Sequence, residues 1–196
     1  GDIYATTFEG LRVSQDGACT FTDTEFYNDL SGGGGAPVLL ENEWIGEVEI
    51  ASDGKVWATT STGGAANDIY VSTDGRRFDS ANNLHPVAWW KTLRVAQTNP
   101  DTVYVSAFVI ATDGGPPSAL LYKTIDGGAS WTDLGTTDFD FGNQPNLLLE
   151  GISPNNPDIV YARVRGARAP QGDDLYRSTD GGVSWTKVLE MHGIIS

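Results

Sequence analysis

Thr124-Ile125-Asp126-Gly127-Gly128-Ala129-Ser130-Trp131 is the stretch that decides the fold, because closely similar stretches occur three more times in the chain. The other copies are residues 14–21, residues 178–185 and a version shortened by one residue at 72–78. Each copy runs from a hydroxyl residue through Asp-Gly to a closing Trp or Phe. The aspartates, at positions 16, 74, 126 and 180, lie 58, 52 and 54 residues apart. A period of this length predicts a repeat architecture.

Asp followed by Gly is typical of a tight turn. The Asp carboxylate accepts backbone N–H groups just downstream, and Gly adopts the positive φ that the turn requires. The leading hydroxyl offers a further local hydrogen bond, and the aromatic residue packs where the next strand begins. A catalytic residue has no reason to recur once per structural unit. We therefore predict a structural role for the repeated residues, which are Ser14, Asp16, Gly17, Phe21, Ser72, Asp74, Gly75, Phe78, Thr124, Asp126, Gly127, Trp131, Ser178, Asp180, Gly181 and Trp185.

This pattern resembles the Asp-box, or BNR repeat, of sialidases, sortilin-type receptors, photosystem assembly factors and some xyloglucan-cleaving endoglucanases. The resemblance implies a β-propeller, with the box in the turn between the third and fourth strands of a blade. It implies no particular activity, because those families share the box without sharing a function. An extracellular or periplasmic location is an expectation from the resemblance only, and the chain itself shows no signal peptide.

A second repeat supports four-stranded blades. Residues 93–105 match residues 150–162, and residues 48–58 form a shorter version. Each of these stretches reads as a strand, a turn and a second strand, and the Asp-box hairpin adds two more. The fold class predicted is therefore all-β, a propeller of about four antiparallel blades within residues 1–196, with blade boundaries near 45, 91 and 147.

The two ends of the sequence read as consecutive strands of one blade. Residues 193–196 read as a first strand and residues 1–7 as a second strand, so the C-terminal strand is a candidate to complete the N-terminal blade and close a small ring. A piece of a larger propeller, cut at a blade boundary, produces the same match. Two chains pairing into an eight-bladed ring is the third alternative, with self-association if the ring is incomplete.

Composition excludes several classes of partner. The net charge of −14 disfavours nucleic acid and anionic membranes, and no apolar run is long enough to insert into a membrane. A single cysteine, Cys19, allows no intrachain disulfide. His85 and His192 are too far apart in sequence to suggest a metal site, and we predict neither a metal nor a cofactor.

The long irregular segments are predicted to lie on one face, opposite the Asp-boxes. In an up-and-down blade the second-to-third loops and the blade-to-blade connections share a face. The loops are residues 61–67, 110–118 and 166–173, and the connections are residues 28–42, 79–87 and 136–146. Binding usually occurs on long loops carried by a rigid scaffold.

Aromatic and acidic residues near these connections are the candidate ligand-binding groups. They are Trp44, Trp89, Trp90, Phe139, Phe141, Glu41 and Glu43. Aromatic rings beside carboxylates suit sugars, which offer C–H faces and hydroxyl donors. Inter-blade packing is the alternative for Trp44 and Trp89, whose positions repeat, and loop packing is the alternative for Phe139 and Phe141.

No complete catalytic constellation is evident. The sequence lacks the early Arg-Ile-Pro phrase expected of a sialidase. An inverting glycosidase needs two carboxylates about 6.5–9.5 Å apart, for which Asp138 and Asp140 are weak candidates. We therefore predict a non-catalytic propeller that binds a protein or glycan partner on its loop face. The alternative is a xyloglucanase-like or sialidase-like glycoside hydrolase, or part of one.

Overall fold

The computed structural model describes residues 1–7, 10–28, 38–39, 44–62, 67–81, 84–85, 87–110, 115–142, 145–168 and 172–190. These residues form strands, turns and irregular segments, and no helix occurs among them. The prediction of an all-β fold is confirmed. Glu41, Glu43 and the C-terminal strand predicted at residues 193–196 lie outside the described residues.

Two compact units divide the chain, at residues 1–90 and 91–196. The first unit holds a three-stranded sheet and a six-stranded sheet. The three-stranded first sheet consists of β1 (Ile3–Thr7), β2 (Gly10–Ser14) and β3 (Thr22–Asp23). The second sheet consists of β4 (Glu25–Asn28), β5 (Val38–Leu39), β6 (Ile45–Ile50), β7 (Val56–Thr60), β8 (Ile69–Ser72) and β9 (Arg77–Ser80).

The second sheet departs from the predicted four strands, because β4 and β5 extend its outer edge in the order β5-β4-β9-β8-β7-β6. β4 pairs with β9 in parallel and with β5 in antiparallel fashion. Phe26 of β4 stacks on Phe78 at 4.8 Å between ring centroids and meets the edge of Tyr70 at 5.0 Å. Burial of Phe26 in this aromatic cluster therefore holds β4 against the sheet. The connection at residues 28–42, which was predicted to be irregular, contains the last residue of β4 and the whole of β5.

The second unit holds two four-stranded antiparallel sheets, although β10 begins just before the boundary between the units. The third sheet consists of β10 (Ala88–Val95), β11 (Val103–Val109), β12 (Ser118–Thr124) and β13 (Thr132–Asp133). The fourth consists of β14 (Leu147–Ser153), β15 (Asn156–Arg168), β16 (Gly172–Ser178) and β17 (Thr186–Glu190). Both sheets contribute to one core, in which Tyr104 and Leu121 of the third sheet join Leu149, Val160 and Tyr176 of the fourth.

The four repeated turns have nearly the same hydrogen bonds, which explains why their residues recur. In the fourth copy the Ser178 hydroxyl donates to Asp180 Oδ1 at 2.8 Å and accepts the Gly182 amide at 2.8 Å. Asp180 also accepts the Ser184 amide at 3.0 Å and the Ser184 hydroxyl at 2.6 Å. The first and third copies make the same four bonds. The shortened second copy keeps the hydroxyl–Asp pair and donates the Arg76 and Arg77 amides to Asp74.

These bonds also set the charge state of the turns. Side-chain hydroxyl donation, followed by backbone N–H donation, lowers the pKa of Asp126 to about 2. The pKa values of Asp16 and Asp180 are lowered to about 2 for the same reason. A carboxyl with a lowered pKa in the folded state stabilises the fold above the pKa of the unfolded chain, near 4, and this contribution disappears as the pH falls towards 2.

Replacing Asp126 by alanine is therefore expected to lower the melting temperature at pH 7 by about 3–8 °C, because the Ser130 amide and two hydroxyl groups lose their acceptor. The deficit should shrink as the pH falls from 4 to 2, and thermal denaturation over that range measures it. Asp133→Ala, which removes an acceptor of the Gly135 amide, is the control with a smaller expected effect. A deficit that persists undiminished at pH 2 would contradict the hydrogen-bond account.

Candidate functional site

Trp44 is the most exposed aromatic side chain among the predicted ligand-binding residues, at 60%. It directly precedes β6, and backbone bonds fix its position: its amide donates to Thr62 Oγ1 at 2.8 Å, and its carbonyl accepts the Ser61 amide at 2.8 Å. An exposed indole costs free energy in water, since its apolar area remains hydrated. An exposed indole on a hydrogen-bonded backbone is therefore suited to contact a ligand.

A groove of about 300 Å³ lies beside the Trp44 ring, lined by Thr6, Thr7, Trp44 and Ile45. The groove lies at one end of the first sheet, where Thr7 of β1 pairs with Gly10 of β2. The repeated turn at residues 14–21 begins at the opposite end of the same two strands, where Ile3 pairs with Ser14. Threonine hydroxyls donate and accept hydrogen bonds, and the indole provides a flat apolar face. The groove thus combines the two kinds of group that a sugar ring requires.

Asn67 supports the segment that holds Trp44. Its Oδ1 accepts the Thr62 amide at 2.6 Å, and its Nδ2 donates to the Thr62 carbonyl at 2.7 Å. Thr62 in turn accepts the Trp44 amide through its side chain. The buried Asn67 side chain therefore positions Trp44 through one intermediate residue.

Asp68, the next residue, is fully buried and lies immediately before β8. Burial raises its pKa to about 6, although hydrogen bonds from the Ser80 hydroxyl and the Ile69 amide favour the charged form. Its backbone N–H donates to Thr60 Oγ1 at 2.9 Å. With a pKa of about 6, Asp68 is expected to lose its proton well above the pH at which the aspartates of the repeated turns lose theirs.

The fourth sheet has buried acids at the matching positions, Asp173 and Asp174, which precede the turn hydroxyl of Ser178 as Asn67 and Asp68 precede Ser72. Asp173 accepts Arg163 Nη1 at 3.0 Å and the Gly166 amide at 2.9 Å. Asp174 forms an ion pair with Lys187 at 2.7 Å. These positions were not among the predicted site residues, although aligning the sequence on the repeated turn would have shown the recurrence.

Asp138 and Asp140, the catalytic candidates, both contact the scaffold of the fourth sheet. Asp138 Oδ2 accepts the Trp185 amide at 2.9 Å. The Asp140 amide donates to the Tyr176 hydroxyl at 3.0 Å, and Asp140 Oδ2 lies 4.0 Å from Lys187 Nζ. Both carboxyl groups are exposed, and the contacts described are with residues of this chain. Their contacts favour a structural role.

Phe139 differs from its prediction as a ligand-binding residue, because only 7% of it is exposed. Its ring lies 4.9 Å from Tyr176 and 5.1 Å from Trp185, within the core of the second unit. Phe141 packs against Phe139 at 5.8 Å and is half-buried. The Phe139 ring is therefore not available to a ligand.

Trp90 is also corrected, since it is completely buried on β10. Its neighbour Trp89 is half-buried, as the alternation along a strand requires. Among the predicted aromatic residues, only Trp44 combines high exposure with a groove.

No group of three or more His, Cys, Asp or Glu side chains with the geometry of a metal site occurs in the described part of the chain. Among the same residues, no helix is long and apolar enough to cross a membrane.

The chain is similar in sequence to xyloglucanases. It is 32% identical over 194 residues to a xyloglucanase, Xgh74A, of Acetivibrio thermocellus, covering 95% of this chain and 21% of the relative. It is 28% identical over 170 residues to a xyloglucanase of a Paenibacillus species, covering 81% of this chain and 15% of the relative. The chain thus spans about a fifth or less of the length of these relatives. No protein-family profile matches it.

The fold of the chain is similar to those of several solved structures. The GH74 xyloglucanase of Xanthomonas campestris matches 96% of this chain and 28% of its own, with a TM-score of 0.61 and 16% identity. The GH74 enzyme of Niastella koreensis matches 98% of this chain and 41% of its own, with a TM-score of 0.53 and 13% identity. YCF48 from Cyanidioschyzon merolae matches 74% of this chain and 39% of its own, with a TM-score of 0.51 and 13% identity. The antiparallel sheets of this chain are therefore blades of the propeller type found in these proteins.

Proposed function

We propose that this chain provides propeller blades to a polysaccharide-acting glycoside hydrolase and contacts a β-glucan through the Trp44 groove. The observation that carries the proposal is the exposed Trp44 side chain, which lines one groove together with Thr6 and Thr7. Similarity to xyloglucanases over 95% of the chain supports the substrate class. An extracellular or periplasmic location belongs to the same proposal.

Sugar contact at this groove follows from simple chemistry. The axial C–H groups of a pyranose ring form an apolar face that packs on an indole, and its equatorial hydroxyls reach outward to hydrogen-bonding side chains. A groove of about 300 Å³ is at the lower end of the volumes typical of small-molecule sites. It therefore matches one or two sugar units of a longer polysaccharide.

We further propose that the described residues bind the glycan rather than cleave it. The Asp138 carboxyl accepts the Trp185 amide, the Asp140 carboxyl lies 4.0 Å from Lys187 Nζ, and Asp68 is fully buried in the other unit. A catalytic carboxyl has to reach the glycosidic oxygen or a water molecule beside the sugar. The cleaving pair is accordingly assigned to residues outside the described ranges.

Replacing Trp44 by alanine tests the proposal. Loss of stacking should weaken binding of xyloglucan oligosaccharides about 10- to 100-fold, by isothermal titration calorimetry, while the melting temperature changes little. Phe21→Ala is the matched control, because Phe21 is 41% exposed and lies at the opposite end of the first sheet.

Two results would contradict the proposal. Equal loss of binding in the Trp44 and Phe21 variants would show that the groove is not the binding site. Hydrolysis of xyloglucan by the chain, abolished by Asp138→Ala or Asp140→Ala, would overturn the assignment of binding without cleavage.

A further inference from the structure

A β-bulge interrupts β6 close to Trp44. Ile45 pairs with Thr60 and Glu47 pairs with Thr59, so Gly46 is the extra residue of the bulge. Side chains alternate between the two faces of a regular strand, and one inserted residue reverses the alternation beyond it. The faces to which successive side chains of β6 belong therefore change at Gly46.

The bulge gives Ile45, rather than Trp44, the position that faces the core. Ile45 and Val48 both pack against the buried cluster that contains Phe26, although they are three residues apart. In a regular strand, residues three apart lie on opposite faces, and Trp44 would share the face of Val48. Trp44 instead remains 60% exposed. Its position is therefore not fixed by the packing that holds Ile45.

Hydrogen bonds to the segment that follows β7 hold the Trp44 backbone. Thr62 Oγ1 accepts the Trp44 amide at 2.8 Å, and the Ser61 amide donates to the Trp44 carbonyl at 2.8 Å. The second bond joins backbone to backbone, whereas the first requires a side-chain acceptor at position 62. The Thr62 hydroxyl is therefore the part of this support that depends on the residue type.

A buried side chain holds the acceptor in turn. Asn67 is 1% exposed, and its side-chain amide binds both backbone groups of Thr62, the N–H at 2.6 Å and the carbonyl at 2.7 Å. These two bonds involve the Thr62 backbone and not its side chain. A substitution at position 62 can therefore remove the hydroxyl while the segment keeps its bonds to Asn67.

We propose that Thr62 is a positioning residue for the glycan, whose hydroxyl orders the Trp44 segment before a sugar contacts it. The inference rests on the function proposed above and adds a residue that strengthens binding at the Trp44 groove by acting through Trp44. Ordering of a segment on binding opposes association, so a group that orders the segment beforehand increases the affinity.

Hydrogen exchange of the Trp44 amide, followed by NMR without ligand, tests the support by itself. Thr62→Val removes the acceptor and keeps the branched shape, so the Trp44 amide should exchange at least about tenfold faster than in the original chain. Thr62→Ser keeps a hydroxyl and should leave the rate within about threefold of the original. An unchanged rate in Thr62→Val would overturn the positioning role and leave the binding of glycan by the groove intact.

Isothermal titration calorimetry with xyloglucan oligosaccharides measures the effect on binding. Thr62→Val should raise the dissociation constant about 3- to 10-fold, and Thr62→Ser should keep it within about twofold of the original. In the Trp44→Ala background, Thr62→Val should change the dissociation constant by less than about twofold, because the side chain that Thr62 positions is absent.

The outcomes distinguish this inference from the proposed function. If Trp44→Ala weakens binding and Thr62→Val does not, the groove binds the glycan but Thr62 does not position Trp44 for it. Equal weakening by Thr62→Val with and without the Trp44 side chain would also overturn the positioning role. If Trp44→Ala binds as tightly as the original chain, the groove is not the binding site, and both proposals are wrong.

Discussion

Asp68→Asn is expected to stabilise the protein at pH 8. The Asp68 carboxyl is fully buried, and its pKa is raised to about 6 from an ordinary value near 3.8. At pH 8 the wild-type chain must therefore hold a charge that burial disfavours, whereas the asparagine amide is neutral. A difference of two pKa units corresponds to roughly 2–3 kcal/mol, so the free energy of unfolding should increase by up to about that amount.

The pH dependence distinguishes this cause from improved packing. A carboxyl whose pKa is raised in the folded state contributes its full stability below the pKa of the unfolded chain, near 4, and loses it as the pH rises through 6. The advantage of Asp68→Asn should therefore be near zero at pH 4 and reach a plateau above pH 7. Urea denaturation at a series of pH values measures the difference.

Asp180→Asn provides a control of opposite sign. The pKa of Asp180 is lowered to about 2 by hydrogen bonds from Ser184 and Ser178, so its charged form stabilises the fold. The asparagine variant should be less stable than the original chain at pH 7. If Asp68→Asn is destabilised at pH 8 as well, the Asp68 carboxylate is favoured by its partners and the burial argument is wrong.

The fold was predictable because the chemistry that specifies it is local. An Asp carboxylate that binds the amide four residues ahead, as Asp180 does with Ser184, can be inferred from sequence spacing alone. Four such turns at a regular period require a repeated unit of strands, whatever the rest of the sequence contains. The comparison with xyloglucanase structures agrees with that inference.

The added strand β4 was not predictable, since its attachment depends on contacts between residues far apart in sequence. Phe26 joins the second sheet because Phe78 and Tyr70 provide an aromatic surface for it. No periodic pattern in residues 25–28 identifies that partner. Long-range packing, rather than local propensity, decides where such a segment lies.

The candidate site was predictable only in part. Exposure of Trp44 and burial of Trp90 cannot be distinguished by residue type, because both are tryptophans at the start of a strand, Trp44 directly before β6 and Trp90 near the start of β10. Phe139 does not repeat, which suggested binding, yet Tyr176 and Trp185 enclose it in the core. The sequence does not single out Asp68, whose burial becomes evident only when β9 brings Ser80 beside it.

Gly75→Ala is expected to be more destabilising than the same change at Gly17. Both glycines have a left-handed backbone, with φ values of +74° and +76°, so alanine is strained at either position by roughly 1 kcal/mol. At Gly75 the added Cβ would also overlap the Tyr4 hydroxyl, whereas at Gly17 it would meet nothing within 4 Å. The expected losses of unfolding free energy are about 2–4 kcal/mol at Gly75 and about 1 kcal/mol at Gly17, measured by urea denaturation in dilute solution.

Removing the Tyr4 hydroxyl tests the steric cause directly. Because the clash involves the hydroxyl oxygen at the end of a rigid ring, Tyr4→Phe should recover about 1 kcal/mol in the Gly75→Ala background and little in the Gly17→Ala background. Equal losses at the two glycines, or no coupling between positions 4 and 75, would show that the first two sheets do not meet through this tyrosine. A measured coupling would establish the Tyr4–Gly75 contact as a source of stability between the first and second sheets.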